Sequence, residues 1–342
     1  MRRGLALAGA VLLLLPLASC AGTPQSRETG STALAGVLGV EPVGDGLQIF
    51  AAAEGRGEAP PTVAQGQGAT PAACIEELTS QGERVISCAH VEHLLLARSA
   101  AASLPELLSY AFQEPQQSTE TQLWVVDTAR LAPVFTGKED PARRMGVLKT
   151  AGKDRQTFRP VTLRQAAGAL AEGEPLLIPA LTEGPAGLDF IGYALYSKGQ
   201  FTAWLTGESA LGAALLLGER IHWTGSSGEQ SLSLQSVGCQ VTPVMEAGQL
   251  TGVSLRCRLE GVPTGGWEGM NQAAADLEVQ TTRTIELALR TMQEAGADGA
   301  ALLRRAGLAR PLQWHKLLNQ WEAAFPDLDP KISVTITVAE RQ

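Results

Sequence analysis

The chain has 342 residues, and its 27 Lys and Arg against 35 Asp and Glu give a formal net charge of −8. Nucleic-acid binding needs clustered basic side chains that displace counterions, so this acidic composition argues against a nucleic-acid partner. The length exceeds the about 100–200 residues of a typical domain, and the 44 % hydrophobic content is ordinary, so we expect a globular protein of more than one unit.

The first twenty residues have the pattern of an export signal. Two arginines precede an apolar run over residues 5–15, which is shorter than the roughly 20 residues that cross a bilayer. The small residues Ala18 and Ser19 and the cysteine directly after them resemble the lipobox of bacterial lipoproteins. We therefore predict a signal peptide over residues 1–19 and lipid attachment at Cys20. In the alternative, an ordinary signal peptide precedes an incidental cysteine.

Lipid is the expected membrane contact of the rest of the chain. The next most apolar run, residues 211–217, is far too short to span a bilayer. Two acyl chains suffice for stable anchoring, so a diacylglyceryl group on Cys20 is expected to hold the protein. The acidic composition predicts no basic patch that would add to this anchor. Residues 20–32 are small and polar, which favours a flexible tether.

The N-terminal half, residues 33–187, is expected to be an α/β region of two small domains with a break near residues 130–160. Residues 55–70 are poor in apolar side chains and rich in Gly and Pro, which predicts a solvent-exposed loop. Apolar runs bounded by turn residues predict strands at residues 32–40, 47–53, 84–95, 121–127 and 175–181.

Helix-start signals separate these strands. Ser103 with Glu106, and Thr162 with Gln165, have the spacing of capping boxes, in which both side chains bond free amides at a helix start. Another helix is expected to begin at Asp140-Pro141, with proline in its first turn. A further short helix is expected around residues 75–78.

The C-terminal half, residues 188–342, predicts two hairpins and a group of helices. Lys198-Gly199 joins the strands of the first hairpin. Apolar side chains three or four residues apart predict a long helix through residues 277–292, and Asp298 is expected to cap the next helix. Predicted strands and helices follow at 190–196, 201–205, 208–217, 231–242, 250–259, 314–325 and 332–338.

Four cysteines besides Cys20 are an even number in an exported chain. A three-residue loop within residues 246–249 would place Cys239 opposite Cys257 on neighbouring strands, as a disulfide requires. A pair of buried thiols is the alternative. The states of Cys74 and Cys88 stay open, and none of these spacings is typical of zinc.

No catalytic, metal or cofactor site is expected. Ser209 follows Gly207-Glu208, but the closing glycine of a nucleophile elbow is absent. His90 and His93 are three residues apart on a predicted strand, so they would point to opposite faces and not share a metal. Trp314 and Trp321 have helical spacing, which favours core packing over a ligand platform.

Several segments in the same order resemble the Ger(x)C family of spore germination lipoproteins. At the C-terminus these are Ala297-Asp298, Gly307, Trp314-His315-Lys316, Trp321, Phe325-Pro326 and the alternating strand. Upstream they are Ala194–Lys198, Trp204-Leu205, Glu208, Cys88–Leu95, Leu107-Leu108 and Ile178–Leu181. One departure lies at Cys20: members of the family usually carry Cys-Trp-Asp, whereas here Cys20 is followed by Ala21-Gly22-Thr23.

The resemblance implies an α+β fold of several small domains, each a mostly antiparallel sheet packed with helices. It also implies a non-catalytic subunit of a nutrient-germinant receptor, needed for spore germination and lipid-anchored at the outer face of the spore inner membrane. Its partners would be membrane-embedded A-type and B-type subunits, and no cofactor is implied. Two other functions are alternatives. A solute-binding lipoprotein of an ABC importer would have two similar lobes around a cleft, and the other alternative is a lipoprotein enzyme.

Overall fold

The structure, a computed structural model, describes residues 32–55, 60–80, 85–114, 117–155, 158–184, 187–218, 220–266 and 269–339. The predicted signal peptide, Cys20 and all of the predicted tether except Thr32 lie outside these residues.

The described residues alternate strands and helices along the chain. The strands are β1 (Thr32–Leu34), β2 (Val37–Val43), β3 (Gly46–Ala53), β4 (Thr62–Gly68), β5 (Val85–Ser87), β6 (His93–Ala97), β7 (Gln122–Val126), β8 (Val161–Thr162), β9 (Leu176–Gly184), β10 (Gly187–Ser197), β11 (Gln200–Thr206), β12 (His222–Ser227), β13 (Gln230–Glu246), β14 (Gln249–Pro263) and β15 (Asp329–Val338). The helices are α1 (Pro71–Ser80), α2 (Leu104–Gln113), α3 (Ala132–Thr136), α4 (Pro141–Arg155), α5 (Leu163–Glu172), α6 (Glu208–Leu216), α7 (Met270–Glu294), α8 (Leu302–Ala309) and α9 (Trp314–Ala324).

The larger sheet is mixed, with a parallel centre. Its order is β11-β10-β9-β7-β6-β2-β3-β4, and β8 pairs with β7 at one end. Strands β2, β6, β7 and β9 run parallel, whereas the flanking pairs are antiparallel. The central strands are continuously apolar, because a strand covered on both faces has no wet side: residues 93–97 and 123–126 are all buried.

The second sheet has the order β12-β13-β14-β15. β15 is parallel to β14, so the chain crosses over between them through α7, α8 and α9. The Glu278 carboxylate on α7 accepts the Ile336 amide at 2.7 Å, which ties this long helix to β15. Buried apolar side chains from both sheets and their helices form one continuous core.

This arrangement confirms the predicted α+β fold class of sheets packed with helices. Strands β9 and β10 are antiparallel neighbours in the larger sheet, and the predicted domain limit at residues 187/188 falls at the start of β10. Residues 130–160 contain α3 and α4, which connect β7 to β8. The domain limits stay a prediction.

The predicted loop at residues 55–70 is wrong over its second half, where β4 pairs antiparallel with β3. Polar β4 lies at the edge of the sheet, where its pairing depends on backbone groups and not on apolar side chains. Glycine is required on its covered face, because a Cβ at Gly66 would overlap the carbonyl oxygen of Cys74 on α1.

The single strand predicted at residues 84–95 is also wrong, because β5 and β6 belong to different sheets. The chain turns at residues 89–90 between them. The amides of Glu92 and His93 both donate to the Gly36 carbonyl, at 2.9 and 3.1 Å, and start β6 beside β2. β5 instead pairs with β1 in a separate two-stranded sheet.

One of the two predicted capping boxes is formed. Thr162 accepts the Gln165 amide while the Gln165 side chain accepts the Thr162 amide, so this prediction is confirmed. The box at Ser103 and Glu106 is absent, because a 3₁₀ helix over Arg98–Ser103 runs directly into α2. The Leu104 amide there donates to the Ala101 carbonyl and needs no side-chain acceptor.

Candidate functional site

Asp298 of the C-terminal signature lies in the turn between α7 and α8. Asp298 is buried, and its Oδ1 and Oδ2 atoms accept the amides of Leu302 and Leu303, each at 2.8 Å. The first amides of a helix have no partner within the helix, so this carboxylate satisfies two of them and also favours the helix dipole. The prediction that Asp298 caps a helix is confirmed.

Arg305, one turn into α8, reaches two other elements of the C-terminal half. Its Nη1 donates to the carbonyl of Leu216 at the end of α6, and its Nη2 donates to the carbonyl of Cys239 on β13. We call Asp298, Arg305 and Trp321 the Asp298 junction. The junction fixes α8 against α6, which follows the last strand of the larger sheet, and against β13 of the second sheet.

The turn of the junction also packs on the larger sheet directly. A Cβ added at Gly299 would lie 2.5 Å from Leu195 Cδ1 on β10 and 3.0 Å from Leu177 Cγ on β9. Only glycine allows the backbone to approach the sheet this closely.

Burial dominates the electrostatics of Asp298 and raises its pKa to about 6 from an ordinary value of 3.8. The amides of Leu303 and Leu302, the Arg305 guanidinium and the Trp321 indole lower the pKa but do not offset the burial. Trp321 Nε1 makes no hydrogen bond of standard geometry, so its effect on Asp298 is that of a nearby dipole.

The raised pKa of Asp298 predicts a loss of stability as pH rises. The unfolded carboxyl releases its proton near 3.8 and the folded one near 6, so the free energy of unfolding falls between these pH values, by up to about 3 kcal/mol. Urea unfolding of the purified chain at several pH values checks this. Asp298→Asn, which cannot titrate, should remove this part of the pH dependence. Equal slopes in both proteins would contradict the assignment.

The apolar face of the last helix packs inward, as the spacing of its tryptophans predicts. Trp321 is buried and stacks on Phe325 with ring centroids 5.9 Å apart. Trp314 is half-buried and covers Gly307 of α8, where any Cβ would overlap the indole ring. These residues hold α8 and α9 together, and their rings do not form an open ligand platform.

The second hairpin brings Cys239 and Cys257 directly opposite each other. They form a disulfide, with Cα atoms 4.0 Å apart. The connecting turn has two residues and not the predicted three-residue loop, because Ala247 and Gly248 both have positive φ, as this tight turn requires.

The two remaining described cysteines are free, and neither is an activated nucleophile. Burial raises the pKa of the Cys88 thiol to about 11 and raises that of Cys74 as well. Because the thiolate is the reactive form, both groups are inert near neutral pH.

The other residues considered for catalysis or metal binding are separate from one another. His90 lies in the turn before β6, whereas His93 is buried and its Nδ1 faces Trp124 Nε1 at 3.2 Å. Burial lowers the pKa of His93 to about 4, so the ring is neutral. Ser209 Oγ donates to the Thr206 carbonyl. Within the described ranges, no three His, Cys, Asp or Glu side chains are grouped as metal ligands.

Two of three comparisons with known proteins gave a match. Residues 191–341 match the family model described as spore germination B3/GerAC-like, C-terminal. Over these residues, which are less than half of the chain, it is similar to the Ger(x)C family of germination proteins. The crystal structure of the GerBC protein has a similar fold, with a TM-score of 0.59 and 13 % identity over 88 % of this chain and 96 % of that chain. The search of curated proteins found no match.

Most of the C-terminal segment that resembles the Ger(x)C family lies in internal packing, whereas His315 and Lys316 are exposed. Asp298, Gly307 and Trp321 are buried, and Trp314 lies against Gly307. The sequence interpretation missed Arg305. Its place on the face of α8 that carries Leu302 could be predicted from the three-residue spacing, but its hydrogen-bond partners on other elements could not.

Proposed function

We propose that this Ger(x)C protein is a non-catalytic, lipid-anchored subunit of a spore nutrient-germinant receptor and is needed for germination. The GerAC-like domain over residues 191–341 carries this proposal. Its partners in the proposal are the membrane-embedded A-type and B-type receptor subunits.

A non-catalytic role is supported by the structural contacts of the Asp298 junction and the tryptophans of α9. Asp298 and Arg305 bond backbone groups of three elements, and both tryptophans pack against their own domain. The residues that could have suggested chemistry, Ser209 and the two free thiols, lack an activating base or are protonated. An assembly role needs no such groups.

A membrane location in the proposal comes from Cys20, with acyl chains that hold the protein at the outer face of the spore inner membrane. None of the described helices combines the length and apolar character needed to cross a membrane.

The importer alternative has less support. It predicts two similar lobes around a cleft, whereas the described residues form one large mixed sheet joined to a smaller one.

Co-purification tests the proposal. A tagged chain expressed in the source organism and extracted from spore membranes with detergent should bring down the two membrane subunits. Deleting the chain should abolish the response to at least one nutrient germinant and reduce the abundance of those subunits. Partner subunits that stay abundant and responsive after deletion, with no paralogue present, would contradict it.

A matched variant separates anchoring from assembly. Cys20→Ala removes the acylated thiol and should release the chain from membranes that lack the partner subunits, because two acyl chains provide the stable attachment. The same variant should still co-purify with the partners when they are present. Persistent membrane association without partners would rule out the lipid anchor.

A further inference from the structure

The corner between α8 and α9 is cationic in an otherwise acidic chain. Residues 299–321 contain four Lys and Arg and no Asp or Glu, whereas the whole chain has a net charge of −8. Arg305 points inward to the junction, and the other three, Arg304, Arg310 and Lys316, are exposed.

The same corner leaves three leucines in solvent. Leu308 is 77 % exposed, Leu312 is 102 % exposed and Leu318 is 49 % exposed. A value near 100 % means that the Leu312 side chain touches almost nothing of its own protein. Exposure of large apolar side chains is unfavourable in water, and three such leucines within eleven residues of one corner favour an interaction surface there.

The corner has a fixed shape. Trp314 packs on Gly307, and the Arg310 amide donates to the carbonyls of Ala306 and Gly307 at 3.0 and 3.1 Å. Leu317 is fully buried on the opposite side of α9. The exposed leucines and cations are thus held outward by a packed base, and no refolding is needed to present them.

We propose that this corner, residues 304–318, docks on an anionic lipid surface. Leu308 and Leu312 enter the headgroup region, and Arg304, Arg310 and Lys316 contact lipid phosphates. Exposed leucines beside basic residues suit this interface, where apolar burial and attraction to anionic lipids act together. A bilayer deforms around a protruding Leu312, whereas a protein partner would need a matching concavity.

This docking adds a second lipid contact to the proposed function and rests on the membrane location stated there. An N-terminal acyl anchor attaches the chain but leaves its orientation free. A contact through the C-terminal domain would fix which face of that domain meets the bilayer and which faces remain available to partner subunits.

Depth-dependent fluorescence quenching tests the proposal on the full chain. An environment-sensitive fluorescent amino acid replaces Leu312, or replaces Val279 as a control. Val279 is 71 % exposed on α7, so neither change disturbs the core. The chains are reconstituted in phosphatidylcholine vesicles with phosphatidylglycerol and spin-labelled lipids. We expect quenching at position 312 at a depth of about 5–10 Å, and none at position 279.

Charge variants test the electrostatic part. The triple variant carries Arg304→Gln, Arg310→Gln and Lys316→Gln. It should lower the equilibrium constant for docking of the corner on the vesicle surface about a hundredfold, because each cation near an anionic surface contributes about fivefold. Three exposed cations elsewhere, changed by Arg130→Gln, Lys138→Gln and Arg143→Gln, give a control with the same net charge. That control should leave the quenching unchanged.

The outcomes are distinct from those of the receptor proposal. A chain that stays on vesicles through its N-terminus but shows no quenching at position 312 overturns the docking alone. Equal quenching at positions 312 and 279 also overturns it. A third outcome is a change in fluorescence at position 312 that occurs only when the membrane subunits are reconstituted with the chain. That result would assign the corner to a protein partner and overturn lipid docking.

Discussion

Trp321→Ala should destabilise the C-terminal domain by about 3–5 kcal/mol, against a total of about 5–15 kcal/mol for a typical domain. The indole is 3 % exposed, stacks on Phe325 and lies beside the buried Asp298 carboxylate. Truncation leaves a cavity next to a buried charge, so both packing and electrostatic support are lost. Urea unfolding of the purified chain, followed by circular dichroism, measures the change.

Leu318→Ala on the same helix is the matched control. Leu318 is 49 % exposed, so its truncation should change the free energy of unfolding by well under 1 kcal/mol. An unchanged unfolding transition in Trp321→Ala, together with a loss of germination in spores, would instead show that Trp321 belongs to a contact surface.

The local patterns that predicted the fold correctly are those in which sequence neighbours make the contacts. Thr162 and Gln165 bond each other's backbone within one helical turn. The hairpin at Lys198-Gly199 forms because the turn residues adopt positive φ, which Gly accepts readily. Periodicity also predicted the inward face of α9, because burial there follows the helical repeat.

The errors occur where partners distant in sequence decide the structure. The edge strand β4 has no apolar signature, since β3 supplies its hydrogen-bond partners and α1 covers its glycines. The break between β5 and β6 depends on the Gly36 carbonyl, about fifty residues upstream along the chain. Neither partner can be located from the local sequence.

The same distinction applies to the Asp298 junction. The capping role of Asp298 could be predicted, because its acceptor atoms serve amides four and five residues ahead. The role of Arg305 could not, because its acceptors are the carbonyls of Leu216 and Cys239 on other elements. The signature residue Asp298 therefore led to the junction, whereas the contacts of Arg305 with α6 and β13 required the structure.

The joint between α6 and α7 depends on one glycine, and Gly212→Ala should therefore be strongly destabilising. A Cβ at Gly212 would overlap the carbonyl oxygen of Thr284 on α7. Overpacking typically costs about 1–3 kcal/mol, and this change should lie at or above the upper end because the obstructing atom is backbone and cannot change rotamer. The two helices must separate, or α6 must shift from β10.

Gly168→Ala on α5 is the control for helix propensity. A Cβ at Gly168 meets no atom within 4 Å, so alanine there should stabilise the chain by about 0.5–1 kcal/mol through lower chain entropy. If Gly212→Ala lowers the free energy of unfolding in urea and Gly168→Ala raises it, the close approach of α6 to α7, and not helix propensity, requires glycine at position 212. If Gly212→Ala were also neutral or stabilising, α6 and α7 could not lie as close together as described.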